Sequence, residues 1–276
     1  MLDVNADSTE IQIEMLFKFS PCFYYHNTAM SVPATELSPA DAAREAPATC
    51  ARLRAIAAAA APVDPARACV RVAKAFDAGA RTYTFHTHVF VPGASSPTIL
   101  ARVSELFFRA YELERHGWYS QFVEGKREEP PPGLSGEEGL EHALGWGVFD
   151  LGLCSLRAYH TLFSRHAGAD GSVAIALRTV AAAAPPPRPS TRVFLLPPTG
   201  DLFRAADGGL HWHHVCTVAG VRLLPGGADR VFMNALRASG LDSAERGTYA
   251  REGAAFVAYV TSLIGKEAGA PAPAKP

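Results

Sequence analysis

The last third of this 276-residue chain, from Thr191 onward, constrains the fold most strongly. Its first part predicts two strands joined by a Gly-rich turn, and a short helix follows. The final segment carries one continuous apolar stripe at helical spacing, formed by Tyr249, Gly253, Phe256, Val260 and Leu263. Antiparallel strands that lead into one long amphipathic helix predict an α+β fold in which this helix closes a curved sheet.

The segments before this region predict further strands and flanking helices. Helix-start signals at Ser38-Pro39 and Asp64-Pro65 predict two N-terminal helices in an Ala-rich segment. Alternating apolar residues predict a strand over 82–91, and Pro97 begins a helical pattern. Later strands are predicted at 120–129, 146–153, 156–166 and 173–180, and residues 134–144 are predicted to form one or two helical turns.

We divide the chain into four parts on this basis. Residues 1–30 form a poorly ordered N-terminal extension, and Met30 offers an alternative start to Met1. The Ala-rich helices occupy 31–80, the ligand-binding domain 81–264, and a disordered tail 265–276. Right-handed βαβ crossovers are not evident, which favours α+β over α/β.

Composition narrows the possible partners and the compartment. The net charge is −1 and the basic residues are scattered, so a nucleic-acid partner is not expected. The five cysteines form no C-x-x-C pair, which suits a reducing compartment. No apolar run approaches the roughly 20 residues of a membrane span, and the N-terminus does not resemble a secretory signal. We therefore expect a cytoplasmic protein.

Four stretches, taken in their order along the chain, carry a resemblance to a known family. They are His116-Gly117-Trp118 and the segments 173–180, 220–225 and 229–238. This order is similar to that of the START-like (helix-grip, SRPBCC) superfamily, which includes lipid-transfer domains, polyketide cyclases and birch-pollen-allergen-like carriers. The resemblance covers about residues 81–264, and segment 130–145 departs from it by being longer than a simple hairpin. It implies a curved sheet wrapped around the C-terminal helix, with an enclosed apolar cavity between them.

The predicted cavity is lined by residues that share one face within each element. We expect these to be Trp118, Phe149, Tyr159, Trp212, His214, Phe256 and Val260. Arg178 is a further candidate because a guanidinium in an apolar strand could neutralise a ligand headgroup, although an outward, solvated Arg178 is the alternative. Gly247 and Gly253 in the closing helix mark either a point of opening or close packing.

Two histidine motifs suggest a different chemistry. His86-Thr87-His88 and His211-Trp212-His213-His214 each place two imidazoles on one face of a strand, as metal ligands often lie. The alternation, however, places these imidazoles on one face of each strand and the apolar residues Phe85, Val89 and Trp212 on the other face. We therefore expect His214 to point inward and the outer face of the sheet to carry His86, His88, His211 and His213.

The resulting hypothesis is a protein that binds a lipid or another hydrophobic small molecule as carrier, transfer protein or sensor. We assign no catalytic residue, cofactor or metal, since the chain has no G-x-S-x-G motif and no phosphate-binding loop. We expect a monomer that contacts membranes transiently. An enzyme on the same fold, of the aromatase/cyclase or hydrolase type, remains the first alternative, with His214, Tyr159 or Arg178 as its polar groups. A metal-binding protein is the second.

Overall fold

The computed structural model describes residues 37–77, 82–109, 122–131, 134, 139–150, 156–181, 191–192, 195–219 and 241–268. Within these residues the chain forms three helices and nine strands. In chain order they are α1 (Pro39–Ala58), β1 (Cys69–Asp77), β2 (Thr82–Pro92), α2 (Pro97–Phe108), β3 (Phe122–Glu128), β4 (Leu140–Asp150), β5 (Leu156–Ala167), β6 (Val173–Thr179), β7 (Thr191–Arg192), β8 (Gly200–Ala206), β9 (Gly209–Ala219) and α3 (Leu241–Ala268).

The strands form one sheet in the order β1-β2-β9-β8-β6-β5-β4-β3, and every neighbouring pair on this path is antiparallel. The two-residue strand β7 lies beside β5 in parallel orientation. The β2–β9 pair sets His88 opposite His213 and Val89 opposite Trp212. An open antiparallel sheet followed by one long C-terminal helix confirms the predicted α+β class.

The sheet separates two packed layers. Helices α2 and α3 lie on one side, which we call the α3 face, and α1 lies on the other, the α1 face. Along β9, Trp212 packs with Phe256 of α3, whereas Val215 packs with Leu53 of α1. Successive side chains of a strand point to opposite faces of the sheet. These two contacts therefore determine on which face every other residue of β9 lies.

The first predicted helix is confirmed. The hydroxyl of Ser38 accepts a hydrogen bond from the backbone N–H of Asp41 at 3.1 Å and caps α1, and Pro39 begins the helix. Among the described helices, none is both long enough and apolar enough to cross a lipid bilayer.

The second predicted N-terminal helix is wrong, because Cys69–Asp77 is strand β1. Val70 and Val72 also fit a period of two, and β-branched residues favour a pleated strand. Pairing with β2, in which Val70 lies opposite Val89, therefore overrides the partial helical spacing. The boundary predicted at residue 80 moves accordingly, since the sheet already begins at Cys69.

Two further boundaries differ from the prediction. Strand β4 begins at Leu140, inside the segment predicted as helical turns, because Leu140 pairs with His166 of β5 and extends the ladder. Helix α3 continues to Ala268, so 265–268, predicted as the start of a disordered tail, are helical. The predicted extension 1–30 and the segments 220–225 and 229–238 lie outside the described residues.

Helix α3 approaches the sheet closely at Gly253. A Cβ atom at this position would lie 2.5 Å from Cγ1 of Val70 and 3.2 Å from Cγ2 of Val89. At Gly247 of the same helix, a Cβ atom would have nothing within 4 Å. The structure therefore supports close packing as the role of Gly253.

These two glycines give a matched pair of variants. We expect Gly253→Ala to lower the free energy of unfolding by about 1–3 kcal/mol, because the branched Val70 side chain must shift. Gly247→Ala should raise it by up to about 1 kcal/mol, because alanine is the better helix former. Urea unfolding of both variants checks the prediction, and equal effects at the two positions would contradict it.

Candidate ligand-binding site

Three of the predicted site residues lie together in the buried cluster on the α3 face. Trp212 of β9 stacks on Phe256 of α3, with ring centroids 4.6 Å apart. Val260 belongs to the same buried cluster, and so do Phe203 and Phe107. We call Phe107, Phe203, Trp212 and Phe256 the aromatic wall. These side chains pack against one another in this structure.

A buried ion pair adjoins the wall. The antiparallel register places Asp201 of β8 directly opposite His214 of β9, so both side chains lie on the α3 face. Oδ1 of Asp201 lies 2.9 Å from Nδ1 of His214 and accepts a hydrogen bond from Nε1 of Trp212 at 2.8 Å. Asp201 is only 4% exposed. The wall and the ion pair are thus joined through one carboxylate.

The ion pair keeps His214 charged. Burial by itself would lower the pKa of His214, but the charge and hydrogen bond of Asp201 raise this pKa well above its ordinary value of 6.5. A hydrogen bond between His214 and the Cys216 side chain raises this pKa further. The site therefore holds a fixed, charged imidazolium at neutral pH.

Helix α3 adds two groups with perturbed acidity. Burial, the largest influence, raises the pKa of Glu252 to about 7, and Asp201 acts in the same direction while His214 opposes it. Burial also raises the pKa of Tyr249 well above 10, so its phenol stays neutral. Near pH 7, Glu252 can therefore donate or accept a hydrogen bond.

Thr87 of β2 completes the group. It lies directly opposite His214 in the β2–β9 ladder and is 1% exposed. Within the described part of the chain, its Oγ1 atom has no hydrogen-bond partner. A buried unsatisfied hydroxyl costs about 1–3 kcal/mol and calls for an explanation such as a bound ligand or water. We call Thr87, Asp201, His214, Tyr249 and Glu252 the polar cluster.

The other predicted site residues differ in their placement. The Tyr159 phenol contributes to the raised pKa of Tyr249, which links it electrostatically to the polar cluster. Phe149 lies on β4, but its side chain is outside the described residues, as is the whole of Trp118.

Arg178 does not belong to the site. It follows Ala174 and Ala176 at alternate positions of β6, and these alanines pack on the α1 face. Its Nε donates to Oε2 of Glu45 in α1 at 3.1 Å, and Nη1 donates to the carbonyl of Leu195 at 2.7 Å. The assignment of Arg178 to the cavity is therefore corrected, because strand alternation points it away from Trp212.

Sequence reasoning missed Thr87, Asp201 and Glu252. The alternation that directs His214 inward applies equally to Thr87, so this residue could have been found within its own strand. Asp201 required the register between β8 and β9 as well. Glu252 required the rotation of α3 over the sheet, which no local pattern specifies.

Among the described residues, a groove and a smaller pocket lie beside helix α3. The larger, of about 550 Å³, is an open groove between α2, β5 and α3 that includes Glu105, Arg165 and Tyr259. The smaller, of about 220 Å³, lies where Cys69 and Val70 approach Val257. Neither pocket includes a residue of the polar cluster, so the candidate site is defined by its side-chain chemistry.

Comparisons with known proteins bear on the fold. Protein-family models and curated proteins give no match to the chain. Among solved structures, human StAR-related lipid transfer protein 5 superposes with a TM-score of 0.55 at 14% identity, covering 81% of this chain and 98% of that one. Human STARD10 gives a TM-score of 0.44 at 15% identity, covering 72% and 78%. The strand order, the closing helix and the first of these similarities together show that the chain has a START-like helix-grip fold.

Proposed function

We propose that this protein binds a lipid or another hydrophobic small molecule between its sheet and its closing helix, as carrier, transfer protein or sensor. The observation that carries the proposal is the buried polar cluster beside the aromatic wall, with an unpaired hydroxyl at Thr87. An amphipathic ligand fits this pairing because its apolar part can contact aromatic rings while its polar group contacts His214 and Thr87. Ligand sites commonly combine a mostly apolar lining with a few placed polar groups.

The fold supports this proposal. Human StAR-related lipid transfer protein 5, with which this chain shares its fold, is named for lipid transfer. A shared fold does not itself establish a shared function, so the argument depends on the side chains of the site.

The chemistry of the cluster narrows the ligand class. His214 carries a positive charge, and Glu252 can act as donor or acceptor near pH 7. These groups suit a hydroxyl, a carbonyl or a carboxylate at the end of the ligand. Burying about 200 Å² of the ligand's apolar surface would contribute about 5 kcal/mol. Because Trp212 and Phe256 are in contact, binding requires part of α3 to move from the sheet.

Native mass spectrometry of the purified full chain and analysis of its extractable lipids give the direct test. A co-purified lipid or amphipathic molecule at one copy per chain supports the proposal. Two results together would overturn it. The protein would co-purify with no such molecule, and after delipidation it would bind neither a fluorescent fatty acid nor a fluorescent sterol.

Thr87→Val tests the site itself. We expect it to weaken binding of the fluorescent probe about 10-fold, which corresponds to one lost hydrogen bond, without lowering the free energy of unfolding. The matched control is Thr217→Val, because Oγ1 of Thr217 is buried and donates to the carbonyl of Pro198 at 2.8 Å. That variant should destabilise the fold and leave affinity unchanged. The opposite pattern would place the ligand elsewhere.

One observation favours an enzyme as the second candidate. Asp201 and His214 form a carboxylate–imidazole pair, and the pKa of Glu252 is raised to about 7, near the value that suits general acid–base catalysis. The recovered ligand distinguishes the two candidates. A carrier returns its ligand chemically unchanged after prolonged incubation, whereas an enzyme of the cyclase or hydrolase type converts it and loses this conversion in His214→Gln.

A further inference from the structure

Four histidines lie together on the α1 face of β2 and β9. The polar cluster lies on the opposite face of the sheet. His88 stands opposite His213 in the ladder. Nε2 of His88 lies 3.1 Å from Nδ1 of His211, and Nε2 of His86 lies 3.1 Å from Nδ1 of His213. We call His86, His88, His211 and His213 the histidine cluster.

The histidine cluster is not a solvated surface feature. Exposure is 5% or less at His88, His211 and His213. An imidazole nitrogen that carries no proton is the atom that binds a metal ion.

The nitrogen atoms converge. One ring nitrogen from each of His88, His211 and His213 lies within 4.8 Å of the others. Two tetrahedral ligands at the usual Zn–N distance of about 2.0–2.1 Å are separated by roughly 3.3 Å, close to the His88–His211 separation. The His213 ring stacks on His88 with centroids 4.0 Å apart, so it must turn to bring its nitrogen inward.

Asp207 places a negative charge beside one of these rings. Its Oδ2 lies 3.2 Å from Nε2 of His211, which leaves Nδ1 of His211 directed at His88. A carboxylate behind a ligating histidine is the usual outer partner of a metal site. Arg71 and Arg204 carry positive charge near the cluster and oppose a cation. Asp207 offsets part of this repulsion, and we expect weaker binding than at a structural zinc site.

We propose that His88, His211 and His213 bind a divalent zinc ion through three imidazole nitrogens, with His86 nearest to the remaining position. Three imidazole ligands suit Zn²⁺ better than the hard cations Mg²⁺ and Ca²⁺, which take oxygen ligands. The ion would tie β2 to β9 on the face opposite the polar cluster. Bound zinc should therefore stabilise the sheet without occupying the ligand site.

The experiment uses the full chain after chelator treatment and titrates it with zinc chloride in a calorimeter. We expect one zinc ion per chain and a higher melting temperature in its presence. His211→Gln should lower the affinity by more than about 10-fold, and Asp207→Asn by about 10-fold through loss of the adjacent negative charge. The matched control is His142→Gln, a half-buried strand histidine bonded to Ser164 and outside the cluster. It should leave zinc binding unchanged.

Cobalt substitution of the wild-type protein keeps the test independent of variant folding. Co²⁺ in a four-coordinate nitrogen site gives intense visible bands, whereas the hydrated ion is pale. Failure of the wild type to bind zinc or to develop these bands would overturn the proposal. So would equal zinc affinity in wild type and folded His211→Gln. Probe binding at the polar cluster is measured separately, so either proposal can fail alone.

Discussion

Replacing Phe256 with alanine is expected to lower the free energy of unfolding by about 3–5 kcal/mol. Phe256 is fully buried, stacks on Trp212 at 4.6 Å and contacts the rings of Phe203 and Phe107. Removing it leaves a cavity between α3 and the sheet and ends several aromatic contacts at once. We expect the loss of stability to fall within this range, because the rings of the aromatic wall are closely packed.

Urea unfolding of Phe256→Ala and Phe256→Leu measures this effect. Leucine keeps much of the buried volume, so its variant should lose less than half as much stability as the alanine variant. Binding of the fluorescent fatty acid is measured on whatever fraction remains folded. A loss below about 1 kcal/mol in Phe256→Ala would show that the site collapses around a loosely held ring.

The sheet could largely be predicted from local alternation. In 82–91 the period of two is interrupted only by Thr87 on one face and Phe90 on the other, and the strand found there is Thr82–Pro92. The same alternation separates His214 from His213, and the structure places these two residues on opposite faces, with His214 beside Asp201. Such inferences succeed because the side-chain direction in a strand depends only on the parity of the position.

The wrong predictions arise where the local spacing fits both a helix and a strand, or where the interacting residues are far apart in the sequence. Cys69–Asp77 carries apolar residues compatible with a helix, and only its pairing with β2 decides for a strand. The assignment of Arg178 to the cavity depends on the apolar residues around it in its strand, although its parity with Ala176 directs it to Glu45. The ion pair at the site depends on register between two strands, which local sequence does not specify.

The burial of the histidine cluster could not be predicted from the local sequence either. Alternation predicts the shared face of His86 and His88, but not that residues on this face become nearly inaccessible to solvent. An outer face of a sheet becomes a second core where other parts of the chain cover it, and α1 packs on this face at Val215, two positions after His213. This is why polar residues on both faces of β9 have shifted pKa values.

The ion pair provides the second large effect, since Asp201→Asn should lower the free energy of unfolding by about 2–4 kcal/mol near pH 6. Asparagine can still accept the hydrogen bond of Trp212, but it leaves the buried His214 without a counter-charge. His214 must then give up its proton or remain charged and unpaired. Either outcome costs stability because the group is held away from water.

The pH dependence of this loss identifies its cause. The pKa of His214 is raised in the folded state above its unfolded value of 6.5, so the stabilisation is fully present below that value. It is lost as pH rises through the folded-state pKa. The difference between wild type and Asp201→Asn should therefore be larger at about pH 6 than at about pH 10.

The control for this prediction is Asp207→Asn, which also removes a carboxylate beside a histidine. Asp207 is 61% exposed and lies 3.2 Å from His211, so its charge is screened by solvent. We expect a loss of at most about 1 kcal/mol in the absence of zinc. Equal losses in the two variants, or a loss in Asp201→Asn that does not change between the two pH values, would mean that Asp201 acts as a neutral acceptor. The charged pair at the centre of the candidate site would then have to be abandoned.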